Sequence, residues 1–251
     1  MAVYHLNIEK GDVGRYVILP GDPGRCEKIA AYFDEPKFLS QNREYVIYTG
    51  KLEGVDVAVC STGIGGPSAA IAMEELVQVG SDTFLRIGTC GGINPKVKPG
   101  DLVIAQSAIR QDGTSYEYAP EGYPATADFD ICVALRDAAL KLNLPYHVGV
   151  VQAKDSFYGQ HNPERMPIAS HLLAKWESYK RLGVLSSEME SAALYCIAAS
   201  LDVRCGCVLN TVWNQTRRDM GIIDPDVHDT DTAIRAGIEA LRILIRQDNK
   251  K

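Results

Sequence analysis

The segment Arg86-Ile-Gly-Thr-Cys-Gly-Gly-Ile93 joins an arginine, a hydroxyl and a pair of glycines at the end of an apolar, β-prone run, Thr83-Phe-Leu-Arg-Ile87. A strand that gives way to glycines can turn with its N–H groups facing a ligand. Ser61-Thr-Gly-Ile-Gly-Gly-Pro-Ser68 follows Val55-Asp-Val-Ala-Val-Cys60 in the same way, and Gly21-Asp-Pro-Gly-Arg25 follows Tyr16-Val-Ile-Leu19. Three glycine turns at three strand ends, two of them bearing an arginine, predict one shared site that grips a small anion, because ligands of α/β sheets gather at the carboxyl ends of the strands. An arginine's usual place is a surface ion pair. Arg86 lies inside an apolar strand, where its charge would be costly unless an anion or an acid meets it.

The elements that must hold these turns alternate along the chain. Strands are expected at 16–19, 45–50, 55–61, 83–88, 101–105, 147–153 and 204–212, with a helix from about 25 to 32 and another from Ser68, whose Ala69, Ala72, Met73 and Leu76 share one face. A further stripe, Ile131, Leu135, Ala138 and Leu142, predicts a helix after a Gly/Pro/Tyr-rich loop at 112–124. The run 183–191 enters an alanine-rich helix. The last helix carries Ile234, Ile238, Leu241 and Ile245 on one face, with Asp229 or Thr230 available as its N-cap, and the tail from Arg246 to Lys251 is expected to fray. No repeat or low-complexity linker divides the chain. The reading is α/β, a single domain over 1–251 with a central mixed sheet flanked by helices.

Bulk properties narrow the function. With 251 residues the chain has ample length for one large core, and 46% hydrophobic with 23% charged residues suits a soluble globule. No apolar run approaches the roughly 18 residues of a membrane helix. The first ten residues lack a basic stretch followed by an apolar one, so a cytoplasmic location is expected. A net charge of −6 argues against a nucleic-acid groove and leaves room for a local basic pocket. Seven cysteines, mostly in apolar strand contexts and without a CxxC pair, read as buried thiols; Cys205-Gly-Cys207 has no His or Cys cluster near it in sequence to complete a metal site.

Taken together, Gly21–Arg25, Arg43-Glu-Tyr45, Ser61–Ser68, Arg86–Thr89 and Ser187-Glu-Met-Glu-Ser191 lie in the order found in a known family. The chain resembles the nucleoside phosphorylases of hexameric-type fold, over nearly its whole length, and within them the uridine-cleaving branch. The resemblance implies reversible cleavage of a glycosidic bond by inorganic phosphate. It implies that Arg25 and Arg86 hold phosphate bidentately, with Gly21 and Thr89, while Arg43 reaches in from a neighbouring subunit. It assigns the ribose to Glu190, Met189, Thr89 and, across the subunit interface, His5, with Arg86 and Glu190 as the catalytic residues. It further implies a homohexamer built as a trimer of dimers. Phosphate is the co-substrate and no organic cofactor or catalytic metal is required; a potassium ion at the dimer interface is implied at Glu44, Ile64 and Ser68.

For the base, the loop Lys154-Asp-Ser-Phe-Tyr-Gly-Gln-His161 supplies Phe157 for stacking and Gln160, whose amide offers both a donor and an acceptor to an imide edge. Glu188 is expected to border the base side. Purine-cleaving relatives carry an Asp just after the late strand, whereas Leu209-Asn-Thr-Val-Trp-Asn-Gln-Thr216 has no acid, which favours a pyrimidine. Uridine-cleaving relatives carry two arginines where this chain has Asn162 and Gln215, so Lys154 or Arg165 is expected to face the leaving base instead. Cys90 reads as a small neutral neighbour of the sugar rather than a nucleophile. A purine nucleoside phosphorylase, a water-using nucleosidase and a silent nucleoside-binding protein are the alternatives on the same scaffold.

Overall fold

A computed structural model describes residues 1–250 of the chain. The strands are β1 (Tyr16–Pro20), β2 (Asp34–Asn42), β3 (Tyr45–Leu52), β4 (Val55–Cys60), β5 (Thr83–Gly92), β6 (Leu102–Gln111), β7 (Ala125–Thr126), β8 (Tyr146–Lys154), β9 (Ser186–Glu188) and β10 (Arg204–Asn214). The helices are α1 (Cys26–Ala30), α2 (Gly66–Gln78), α3 (Thr114–Tyr118), α4 (Phe129–Lys141), α5 (Phe157–His161), α6 (Ala169–Arg181), α7 (Ser191–Ser200), α8 (Gln215–Asp219) and α9 (Asp231–Asp248).

All ten strands form one mixed sheet. Its open wing runs β2-β3-β4-β1-β5, with β1 parallel to β4 and β5, and the β2–β3 and β3–β4 pairs antiparallel. Beyond β5 the sheet closes on itself: β5 pairs with β10, β10 with β6, β6 with β8, β8 with β9, and β9 returns to β5. The wing's strands alternate between two cores. One holds Val17, Leu19, Ala58, Phe84 and the buried faces of α2 and α7; the other holds Ile18, Val59, Leu85, Ile87 and the buried faces of α1, α4 and α9. Arg86, between Leu85 and Ile87, falls by this period-two alternation on the same face as Phe84.

β5 is where closed and open parts meet. Its residues Thr83–Ile87 pair with β1, and Gly91 and Gly92 pair with β9. Between them Gly88, Thr89 and Cys90 pair only with β10, so the sheet parts along that edge. β1 ends at Pro20 on one lip of the gap, and β9 delivers Glu188 to the other.

Several elements differ from expectation. β2 is missed by pattern because it is a largely exposed edge strand containing Pro36, with no apolar alternation. The helix at 25–32 shortens to α1, preceded by a tight turn at Pro23–Arg25 in which the Asp22 side chain accepts from the Gly24 N–H at 2.9 Å. The 112–124 loop contains α3, started by Asp112, which accepts from the Ser115 N–H and hydroxyl at 2.7 and 2.8 Å. α6 was not expected from the sequence; only Tyr179 of it is buried, so its apolar stripe is faint. The C-terminal tail does not fray at Arg246: α9 continues to Asp248, and Arg246 donates to Glu239 and to the Arg242 carbonyl. Lys251 lies outside the described residues.

Candidate active site

A cleft of about 780 Å³ opens over the parted edge of β5. Its walls bring together the three glycine turns: Gly21 and Arg25 from the turn after β1, Gly63 and Ile64 from the turn after β4, and Arg86, Thr89 and Cys90 from β5. Gly63 and Gly65 have φ of +67° and +90°, a left-handed backbone that favours glycine, and this bend lets the Gly65 N–H donate to Glu190 Oε1 at 2.6 Å.

Arg86 is the buried centre of the site, 4% exposed. Its Nη2 donates to Glu190 Oε2, and its Nε lies 3.4 Å from Glu188 Oε2. Burial alone would lower its pKa, but Glu190 and Glu188 outweigh that and hold the guanidinium firmly charged. Its Nη1 is buried without a hydrogen-bond partner among the described residues, near the turn at Gly21. Arg25 sits partly buried on the adjacent lip, 3.9 Å from Asp22 through Nε, and burial followed by the repulsion of Arg86 pushes its pKa down, against the pull of Asp22. Two guanidinium groups that repel each other across a cleft, one with an unpartnered Nη1, have the charge and the donors to hold an oxyanion.

Glu188 lines the cleft wall and is held there by backbone groups: its carboxylate accepts from the Glu190 N–H at 2.9 Å, from the Ser191 N–H at 2.9 Å and from the Ser191 hydroxyl, so it caps the start of α7 and flanks Arg86. Burial pushes its carboxyl above the usual carboxylate range and Arg86 opposes that shift. Met189 and Glu190 line the same wall.

At the far end Phe157, His161 and Trp213 form an aromatic wall. The His161 ring lies 4.2 Å from Phe157 and 5.1 Å from Trp213, centre to centre, and burial with the nearby Lys154 charge lowers its pKa to about 4, so it is neutral. Lys154 lines the cleft here, while Arg165 does not: it is exposed and stacks on Tyr158 at 5.3 Å. Gln160 faces an adjoining cavity of about 650 Å³ rather than the main cleft, and its Oε1 accepts from Ser187 Oγ at 2.7 Å. Neither Gln160 nor Arg165, both expected at the base, is among the residues lining the main cleft. Cys90 is buried, which raises its thiol pKa to about 11 and fits the neutral role expected of it.

A model of the phosphorylase superfamily matches residues 15–244. The chain belongs to the phosphorylase superfamily. It is 50% identical over 248 residues to a uridine phosphorylase of Treponema pallidum, covering 99% of this chain and 96% of that one. It is 42% identical to a uridine phosphorylase of Thermococcus kodakarensis, covering 99% and 88%. It is also 40% identical to a guanosine phosphorylase of Halorubrum lacusprofundi, covering 81% and 80%.

Two residues expected at the site, His5 and Arg43, stand outside this cleft. His5 is anchored on α2, its Nδ1 2.6 Å from Glu75 Oε1 and the His5 and Leu6 N–H groups donating to the same carboxylate. Arg43 is exposed at the β2–β3 turn. The two lie on one edge of the molecule, joined by Asn42 Nδ2 donating to the His5 carbonyl at 2.7 Å. Sequence reasoning missed His161, Trp213, Arg218, Asp226 and His228, all of which line the cleft. Of these only His161 had a readable signal, four residues after Phe157 and hence on the same face of a helical turn. Arg218 lies over Trp213 at 4.4 Å and pairs with Asp226, an arrangement set by the α8 turn and the loop after it.

Proposed function

We propose that this chain is a uridine phosphorylase, transferring the ribosyl group of uridine to inorganic phosphate to give uracil and ribose 1-phosphate. The observation that carries the reading is the pairing of Arg25 with Arg86, whose Nη1 is unpartnered, directly beside Glu190. Phosphate lies between the two guanidinium groups, assisted by the Gly21 N–H and the Thr89 hydroxyl and N–H. Glu190 and Met189 hold the pentose above it. Positive charge that builds on the sugar as the bond lengthens is met by phosphate below and by Glu190 at the hydroxyls, so the stabilisation grows toward the transition state. Phe157, His161 and Trp213 stack on the base.

The uridine phosphorylases at 50% and 42% identity support a pyrimidine, as does the chemistry of the late strand: Asn210 and Asn214 stand there with no acid among residues 209–216. The reading includes a homohexamer in the cytoplasm, built as a trimer of dimers. The shared edge that holds His5 and Arg43 away from their own cleft supports a neighbour's cleft as their destination. It needs no organic cofactor. The oxygen-only set Glu44, Ile64 and Ser68 would suit a potassium ion, and Ser68 Oγ already donates to Glu44 Oε1 at 2.6 Å.

A purine reading rests on the guanosine phosphorylase at 40% identity. Turnover of uridine and of inosine, each with and without phosphate, separates these activities. The proposal expects phosphate-dependent uracil release to exceed hypoxanthine release; faster inosine cleavage would reverse the assignment of base, and turnover without phosphate would make the chain a hydrolase.

A further inference from the structure

Lys154 ends β8 with its side chain 4% exposed, in the wall that separates the cleft from the adjoining cavity. Its Nζ makes one hydrogen bond, to Ser187 Oγ at 2.5 Å, and no carboxylate lies within ion-pair distance of it among the described residues. Arg86, equally buried, has two carboxylates against it. A buried ammonium with a single neutral partner is expensive to hold, so such a group is expected where an electron-rich ligand meets it during function.

Its direction is set by neighbours. The Ser187 hydroxyl donates to Gln160 Oε1 at 2.7 Å, which leaves its lone pairs for Lys154, and Gln160 Nε2 reaches Gln215 Oε1 at 3.5 Å. Nζ lies 6.0 Å from the centre of the Phe157 ring, at the base end of the cleft. Two of its three N–H donors remain for whatever occupies that end.

We propose that Lys154 receives the negative charge of the departing pyrimidine, donating from Nζ to a ring carbonyl oxygen as the glycosidic bond breaks. This rests on the phosphorolysis reading and deepens it. In the step, a phosphate oxygen bonds to C1′ while the C1′–N1 bond breaks and its electron pair leaves with the base, spread over the carbonyl oxygens. Lys154 remains an ammonium. The proton lost from the phosphate ester to solvent balances the one the released base takes up. Glu188 and Glu190 raise the lysine's proton affinity and burial lowers it further than they restore, to about 8; His161 and the Cys90 thiol, also facing it, stay neutral.

The test compares Lys154→Met and Lys154→Arg with the unaltered protein on uridine and on 5-fluorouridine, whose more acidic base needs less help in leaving. Lys154→Met should lower kcat on uridine by about a hundredfold or more, the usual effect of removing a donor to a developing oxyanion. The loss on 5-fluorouridine should be at least tenfold smaller, the phosphate KM should stay within about twofold, and the fall in kcat near pH 8 should disappear. Lys154→Arg should retain part of the rate and move that fall to higher pH. Equal losses on both substrates, or an unchanged alkaline limb in Lys154→Met, would overturn the proposal. An unaltered protein inactive on both nucleosides would instead overturn the phosphorolysis reading.

Discussion

Replacing Arg86 by Met separates what the arginine does for the fold from what it does for phosphate. The guanidinium lies against Glu190 and 3.4 Å from Glu188, and all three side chains are buried. At an effective dielectric of about 20 one such contact is worth roughly 5 kcal/mol of Coulomb energy, before the cost of desolvation. Removing one partner of a buried pair costs about 3–5 kcal/mol, which for a chain of this size lowers Tm by roughly 6–20 °C. The loss depends on pH in a definite direction. Glu188 is already pushed above the usual carboxylate range by burial, and Arg86 holds that shift back. In Arg86→Met the folded Glu188 carboxyl binds its proton more tightly than the unfolded one, so the deficit is full above its folded pKa and shrinks as pH falls through it. Thermal unfolding at pH 8 and pH 5.5 should therefore show a larger gap to the unaltered protein at pH 8. Added phosphate should raise the Tm of the unaltered protein, since phosphate at about 100 times its Kd stabilises by about 2.7 kcal/mol, and should not raise that of the variant. An unchanged Tm at pH 8, a gap equal at both pH values, or undiminished stabilisation by phosphate would refute the reasoning.

Glu190→Gln should reduce kcat about a hundredfold or more while the phosphate KM moves little, because the charge opposing the oxocarbenium is lost and the Arg25 side of the phosphate site is untouched; initial-rate kinetics in both substrates check this. Phe157→Ala should raise the uridine KM several-fold with a smaller effect on kcat, since stacking holds ground state and transition state alike. Arg43→Ala should bind uracil normally yet lose phosphate affinity, and mixing it with a Glu190→Gln variant should regenerate active sites if Arg43 serves a neighbour; no recovery on subunit exchange would confine Arg43 to its own chain.

The end of the cleft that holds Arg25 and Arg86 was legible in sequence because its parts are local: three strands each followed by a glycine turn, two of them with an arginine at a fixed offset. β5 was read as the strand that carries Arg86, and the structure places Arg86 between two carboxylates there. The closed ring from β5 through β10, β6, β8 and β9 was not legible, because β9 is three residues long and pairing between distant strands leaves no periodic trace. The base end failed for a related reason. His161, Trp213 and Arg218 come from two short helices and a bulged strand end, whose mutual approach depends on that closure. The capping role of Glu188 was not legible, because one glutamate two residues before another looks like a second ligand group, whereas the backbone turn into α7 gives it the orphan N–H groups to cap.

On the proposed function, phosphate is held between Arg25 and Arg86 beneath a pentose fixed by Glu190. A crystal structure of the protein with phosphate and uridine present tests it most directly. Phosphate oxygens should lie within hydrogen-bond distance of Arg25, of Arg86 Nη1 and of Thr89, with the ribose hydroxyls on Glu190. Phosphate bound elsewhere, or both arginines turned to solvent with the nucleoside in the cleft, would contradict it.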